Sequence, residues 1–129
     1  MDFDFTEFKD TTQGFEDPAK WIAECVAQYL NMAVLALPPE FRLEIRGERD
    51  RELVVKKVLE GLVDTLELIN EGKMSHDHKE YVTNFYDWIR EAVLDFLYGG
   101  TLRTDRWTEP ELKAARVRAM KLLAEDING

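Results

Sequence analysis

The feature that most constrains this chain is an uncharged run of thirteen residues, CVAQYLNMAVLAL, which extends from Cys25 to Leu37. Charged residues make up 33% of the chain, so a run of this kind is not typical of its solvent-exposed surface. As a helix the run would span about 20 Å, which is too short for a bilayer core of roughly 30 Å. We therefore expect no membrane association, and we expect the run to be buried in the protein's own core or against a second protein.

The run lies within the first predicted helix. Asp17 and Pro18 form an N-cap followed by proline at the first helical position, and Pro38 and Pro39 place the end near Ala36. Apolar residues surround most of this helix, which is typical of a buried one. If the other helices cannot enclose it, one face remains for an oligomer interface. The residues predicted for that interface are Gln28, Tyr29, Asn31 and Met32.

Gln28 and Asn31 lie three positions apart and therefore share one side of this helix. Two interpretations stay open for the pair. They form a solvent-exposed strip, or they form hydrogen bonds that set the register with a second subunit.

Three further segments have helical periodicity. The second helix is predicted over residues 50–71 and ends at Gly72, and the third over residues 78–98 with Asp77 and Glu80 at capping-box spacing. The fourth begins at Thr108, which forms a capping box with Glu111, and runs to about residue 126. These segments predict a mainly all-α fold, a bundle of about four helices.

Two short segments alternate apolar and charged residues, as half-buried strands do. They are residues 2–8 and residues 41–46, and we expect them to form either a small two-stranded ribbon or a disordered arm and an irregular linker. The chain is therefore divided into an acidic N-terminal arm, residues 1–16, and a single helical domain, residues 17–129.

The formal net charge of −9 argues against direct binding of nucleic acid, which depends on lysine and arginine contacts to phosphate. The charge is unevenly distributed: residues 1–17 and 58–100 are acidic, whereas residues 101–121 are basic. Such a molecule can pair its own acidic and basic faces, stack on a copy of itself, or bind a protein with a basic surface.

Two rows of carboxylates follow helical spacing. The rows consist of Glu60, Asp64 and Glu67 in the second helix and of Asp87, Glu91 and Asp95 in the third. Each row lies opposite an apolar stripe, which favours a solvated acidic face that binds a partner. If the two rows faced each other, they could instead hold Mg²⁺ or Mn²⁺ through oxygen ligands.

No other chemistry-bearing pattern is present in the sequence. His76 and His78 flank Asp77 at a spacing that chelates metal poorly, and we interpret them as turn and cap residues. Cys25 lies in the apolar run, where a free cysteine behaves as a small hydrophobe. There is no glycine-rich phosphate loop, nucleophile elbow or zinc-ligand spacing. We expect no metal, no cofactor and no catalytic residue.

The sequence thus favours a non-catalytic, cytoplasmic protein-binding module that acts as an adaptor or inhibitor. Its predicted partner-binding surface is the set of six carboxylates above, which could resemble DNA in charge, and a homodimer is an added expectation. The alternative is a metal-dependent nucleotide hydrolase that uses the two carboxylate rows.

Overall fold

A computed structural model describes residues 12–75, 84–99, 102 and 104–128 of the chain. In this part of the chain there are five helices and no strand. They are α1 (Pro18–Leu35), α2 (Pro39–Arg42), α3 (Glu48–Asn70), α4 (Phe85–Tyr98) and α5 (Glu109–Asn128). The expected all-α fold is confirmed.

The first and last helices begin where their capping residues predict. The Asp17 carboxylate accepts a hydrogen bond of 2.9 Å from the Ala19 amide, and Pro18 is the first residue of α1. At α5, the Thr108 hydroxyl accepts from the Glu111 amide at 3.4 Å, and the Glu111 carboxylate accepts from the Thr108 amide at 3.4 Å. This reciprocal pair is the predicted capping box.

The prediction of a strand over residues 41–46 is wrong. Pro39 begins the short helix α2, and Phe41 and Ile45 pack towards the core four positions apart, a spacing that suits a helical turn as well as a strand. The exposure of Leu43 excludes the strand. In a strand Leu43 would lie on the same side as Phe41 and Ile45 and be buried with them, yet it is exposed. The other half of the predicted ribbon, residues 2–8, lies outside the described residues.

Two helices begin at other positions than their patterns predict. α3 begins at Glu48, two residues early, after Gly47 with φ of 114°. α4 begins at Phe85 rather than His78, because Asn84 has extended backbone and caps the helix by accepting from the Asp87 amide at 3.0 Å. The Asp77–Glu80 capping box lies outside the described residues.

The four long helices form the bundle. Each of α1 and α3 packs mainly against both α4 and α5, so α1 and α3 lie across from each other and α4 and α5 do the same. One core cluster joins all four helices. Its fully enclosed members include Trp21, Ile22, Val26, Leu59, Leu62, Leu66, Ile89, Val93, Ala115, Ala119 and Met120.

The uncharged run divides between this core and the surface. Val26, Leu30, Ala33 and Val34 are buried, because they lie on the side of α1 that packs on α4 and α5, and Leu37, just beyond the helix, is buried as well. Met32 and Leu35 lie on the other side and are exposed. The bundle therefore encloses only one side of this helix.

The basic residues of α5 pair with acidic residues of the same chain. Arg118 bonds to Asp17 at the start of α1, and Lys121 lies 3.7 Å from Glu67 of α3. Arg106, just before α5, donates to the carbonyl of Thr12, which is buried. The last residues of the predicted N-terminal arm thus pack on the bundle, and residues 1–11 lie outside the described part.

Candidate functional site

The outer side of α4 carries a tryptophan among acidic residues. Asn84, Trp88, Glu91 and Asp95 follow one another at spacings of four, three and four, which places them on one side of the helix. The buried side of α4 consists of Phe85, Ile89, Val93, Leu94 and Leu97. Trp88 keeps 40% of its surface exposed, although a tryptophan gains more than most residues from burial.

The acidic row of α4 turns gradually around the helix. Asp87 accepts a hydrogen bond of 3.3 Å from Arg90, and both line a groove that faces α3. Asp95, two turns later, lies close enough to Tyr29 of α1 to act on its hydroxyl. Burial first, and then the negative charge of Asp95, raise the pKa of Tyr29. The row therefore runs from the α3 side of α4 to its α1 side.

The acidic row of α3 ends beside a different helix. Glu60 and Asp64 are exposed, and the structure pairs neither with a cation among the described residues. Glu67, at the end of the row, faces Lys121 of α5. Glu60 and Asp64 thus remain exposed to solvent on α3, the helix that forms one wall of a groove with α4.

The ends of the two rows thus lie against different helices, Glu67 against α5 and Asp95 against α1. Among the described residues, no three histidine, cysteine or carboxylate side chains lie close enough together to hold a metal ion. The arrangement that a metal-dependent hydrolase would need from these rows is absent there. His76 and His78 lie outside the described residues.

The groove between α3 and α4 has a volume of about 300 Å³. Its lining residues are Lys57, Val58, Gly61, Asn84, Tyr86, Asp87 and Arg90. The Lys57 amine lies 4.7 Å from the centre of the Tyr86 ring, and Arg90 pairs with Asp87. Both cations of the groove thus have a partner within the chain, and the carboxylates of Glu60 and Asp64, on the same helix as Lys57, are exposed to solvent.

We group the outer residues of α4, Trp88, Glu91 and Asp95, with the exposed Glu60 and Asp64 of α3 under the name acidic face. It contains five residues from two neighbouring helices, and four of them belong to the carboxylate rows. Sequence reasoning identified the four acids but did not include Trp88 in the predicted partner-binding surface. The signal was present, because Trp88 lies one turn from Glu91 and Asn84.

The four residues predicted for an oligomer interface lie in different surroundings. The Tyr29 ring stacks on Phe96 of α4 with 4.3 Å between ring centres. Gln28 donates to Glu24 at 3.5 Å, and Asn31 accepts from Arg51 of α3 at 2.9 Å. Both polar side chains are exposed, as a solvent strip requires, and only Met32 presents a large exposed apolar surface.

A second exposed surface was missed by sequence reasoning. It lies where α1 ends and α3 begins, and it includes the exposed Leu35. No simple pattern marks it, because Leu35 belongs to the same uncharged run as the buried Val34 and Leu37. Cys25, interpreted as a buried hydrophobe, is only partly buried against the core.

Comparison of the chain with protein-family models, curated proteins and solved structures finds no match. Among the described residues, no helix has the length and apolar character needed to cross a membrane. The class of protein that the fold defines is therefore a small all-α bundle, and its function has to be inferred from its own surface.

Proposed function

We propose that this chain is a non-catalytic, cytoplasmic binding module whose acidic face docks on the basic surface of another protein, as an adaptor or inhibitor. The observation that carries the proposal is the exposed Trp88 in line with Glu91 and Asp95. Tryptophan is enriched among the residues that dominate binding energy at protein interfaces. Its position among carboxylates gives the surface both an apolar anchor and a charge that selects a basic partner.

The charges of the acidic face support the same partner chemistry. Glu60 and Asp64 are exposed and lack a cation among the described residues, so they stay available to lysine or arginine of a partner. The basic residues of α5 are largely paired within the chain and do not neutralise them. With a net charge of −9, the molecule would also attract a basic protein over a distance set by the salt concentration.

The test compares immobilised wild-type protein with variants in a lysate of the protein's own host, and bound proteins are quantified by mass spectrometry. The variants are Trp88→Ala and the double substitution Glu60→Gln with Asp64→Gln. The matched control is Glu125→Gln with Asp126→Gln, which removes the same charge from exposed positions in the last turn of α5. We expect a protein with a basic surface that the wild type and the control retain and that both acidic-face variants lose.

Isothermal titration calorimetry with the purified partner then measures how much each substituted residue contributes to the binding affinity. Trp88→Ala should weaken binding by about 30-fold, the effect of losing about 2 kcal/mol at an interface hot spot. The double carboxylate variant should weaken binding less and reduce its dependence on salt. Equal capture by wild type and both variants would show that the acidic face is not a docking surface.

A further inference from the structure

A cleft lies at the corner where the end of α1, the short α2 and the start of α3 meet. Its volume is about 540 Å³, within the range of natural binding sites. The cleft is lined by Val34, Leu35, Leu37, Arg42, Ile45, Gly47, Glu48 and Arg51, and we call it the corner cleft. Its inner wall is aliphatic, and its charged residues carry both signs.

Large apolar side chains beside the corner cleft are left in water. Leu35 is 68% exposed and Met32, one turn earlier on the same side of α1, is 67% exposed. Neither is covered, because α1 has already used its opposite side to pack on α4 and α5. Leu35 forms part of the cleft wall, so the exposed leucine and the cleft make one continuous apolar surface.

The local charge decides which partner fits this surface. Residues 39–51 contain four acids and four arginines, so this corner is neutral in a chain whose net charge is −9. Over most of its surface, a second copy would be repelled, but close charges act over a Debye length of only about 8 Å at physiological salt. A second copy can therefore approach at the corner cleft with little repulsion.

The charged rim is also complementary to itself. Glu48 and Arg51 lie three positions apart in α3 and both line the corner cleft. In a dimer with twofold symmetry, each surface meets an identical one, so residue i faces residue j and residue j faces residue i. A rim with one acid and one base side by side can then form two equivalent ion pairs across the axis.

From this placement we propose that the corner cleft is a homodimer interface. Leu35 and Met32 of each copy pack on the partner copy's cleft, and Glu48 and Arg51 face their opposites across the twofold axis. This interface is separate from the acidic face, so the dimer presents two acidic faces to other proteins. The proposed interface shares Met32 with the oligomer interface predicted from the sequence. It lies closer to the C-terminal end of α1 than that prediction.

Sedimentation velocity over a range of protein concentrations tests the proposal. The wild type should shift from the 15.1 kDa monomer to a species of twice that mass as concentration rises. Leu35→Lys and Met32→Lys should each raise the dimer dissociation constant by about tenfold or more, since each places an amine in an apolar contact. Leu53→Lys is the matched control, because Leu53 is an exposed leucine of α3 that does not line the cleft.

Charge exchange supplies a second, independent readout. Glu48→Arg and Arg51→Glu should each weaken the dimer by bringing like charges together, and the double variant should restore it. Added salt should leave the dimer intact, whereas it should weaken binding at the acidic face. A wild type that stays monomeric at every concentration, a dimer unaffected by Leu35→Lys and Met32→Lys, or a different protein seated on this surface would each overturn the proposal.

Discussion

Arg116 shows how a charged residue is accommodated in this core. It keeps only 8% of its surface exposed, and its guanidinium donates to both carboxylate oxygens of Glu109, at 2.9 and 3.4 Å. The same guanidinium lies 4.5 Å from the centre of the Tyr98 ring. A planar cation suits both contacts at once, whereas the compact ammonium of lysine would make neither well.

We expect Arg116→Ala to lower the free energy of unfolding by about 2 kcal/mol. The loss is smaller than for a fully buried ion pair, because Glu109 is largely exposed and stays hydrated when its partner is removed. Urea unfolding followed by circular dichroism measures it. Arg118→Ala, which removes the exposed pair with Asp17, is the control and should cost less than about 1 kcal/mol; equal losses would contradict the role of burial.

The two tyrosines with perturbed pKa values predict a loss of stability in alkali. Burial raises the pKa of Tyr98, more than Arg116 lowers it, and burial with the charge of Asp95 raises the pKa of Tyr29. A raised folded-state pKa means that the unfolded chain ionises first. The contribution of these two tyrosines to the free energy of unfolding is therefore fully present below about pH 10, the ordinary tyrosine pKa. It is lost as the pH rises through their raised folded-state pKa values.

Urea unfolding at pH 7 and across pH 9–11 checks this expectation. The combined variant Tyr29→Phe with Tyr98→Phe should lose less stability over the alkaline range than the wild type does, because its phenolic groups no longer ionise on unfolding. Parallel pH profiles for the two proteins would assign the alkaline loss to other groups.

At the scale of the element, α3 depends on the glycine that precedes it. Gly47 has φ of 114° and ψ of 178°, a combination that is essentially restricted to glycine. This conformation turns the chain from α2 into α3 and starts the helix at Glu48, two residues before its predicted start at residue 50. Gly61, by contrast, lies in the interior of the same helix, where glycine is a poor helix former.

Replacing these two glycines by alanine should therefore have opposite effects. Gly47→Ala should destabilise the protein by about 1–3 kcal/mol through backbone strain, although a methyl group there would meet no atom within 4 Å. Gly61→Ala should stabilise it by about 0.5–1 kcal/mol, since its site is equally open and helical. Thermal and urea unfolding of the two variants measure the direction of each change in the free energy of unfolding. A stabilising Gly47→Ala would refute the strain argument.

At the scale of the whole molecule, α5 is the helix against which α1 and α3 pack most closely. Ala115 and Ala119 are fully enclosed on its inner side, and their small side chains allow the neighbouring helices to approach. The bundle therefore depends on small residues in α5 as much as on the large apolar residues of α1 and α3.

We expect Ala119→Leu to destabilise the protein by about 1–3 kcal/mol, because a well-packed core has no room for three further carbon atoms. Ala114→Leu, at an exposed position of the same helix, should change the free energy of unfolding by no more than about 0.5 kcal/mol. Urea unfolding of both variants distinguishes overpacking from a change in helix propensity, which the two substitutions share. Similar losses in both would argue against close packing at Ala119.

The residues whose structural role could be predicted from the sequence act on their immediate neighbours. Asp17 caps α1, Thr108 and Glu111 cap α5, and the two prolines at 38 and 39 end the first helix, each within a few residues of the signal. The long apolar stripes predicted a helical bundle for the same reason, since period and propensity are properties of a short window. Four of the five residues of the acidic face followed from helical spacing alone.

Only the tertiary structure decided what lies beside each side chain. The packing of α1 against α4 and α5 left Leu35 in water while it buried Val34, and Asn84 rather than the stripe began α4. The last carboxylate of each acidic row lies against a different helix, Glu67 against Lys121 of α5 and Asp95 against Tyr29 of α1. Burial and distance depend on residues far apart in the chain, whereas spacing and capping depend on residues close together, and this separates what the sequence determined from what the fold decided.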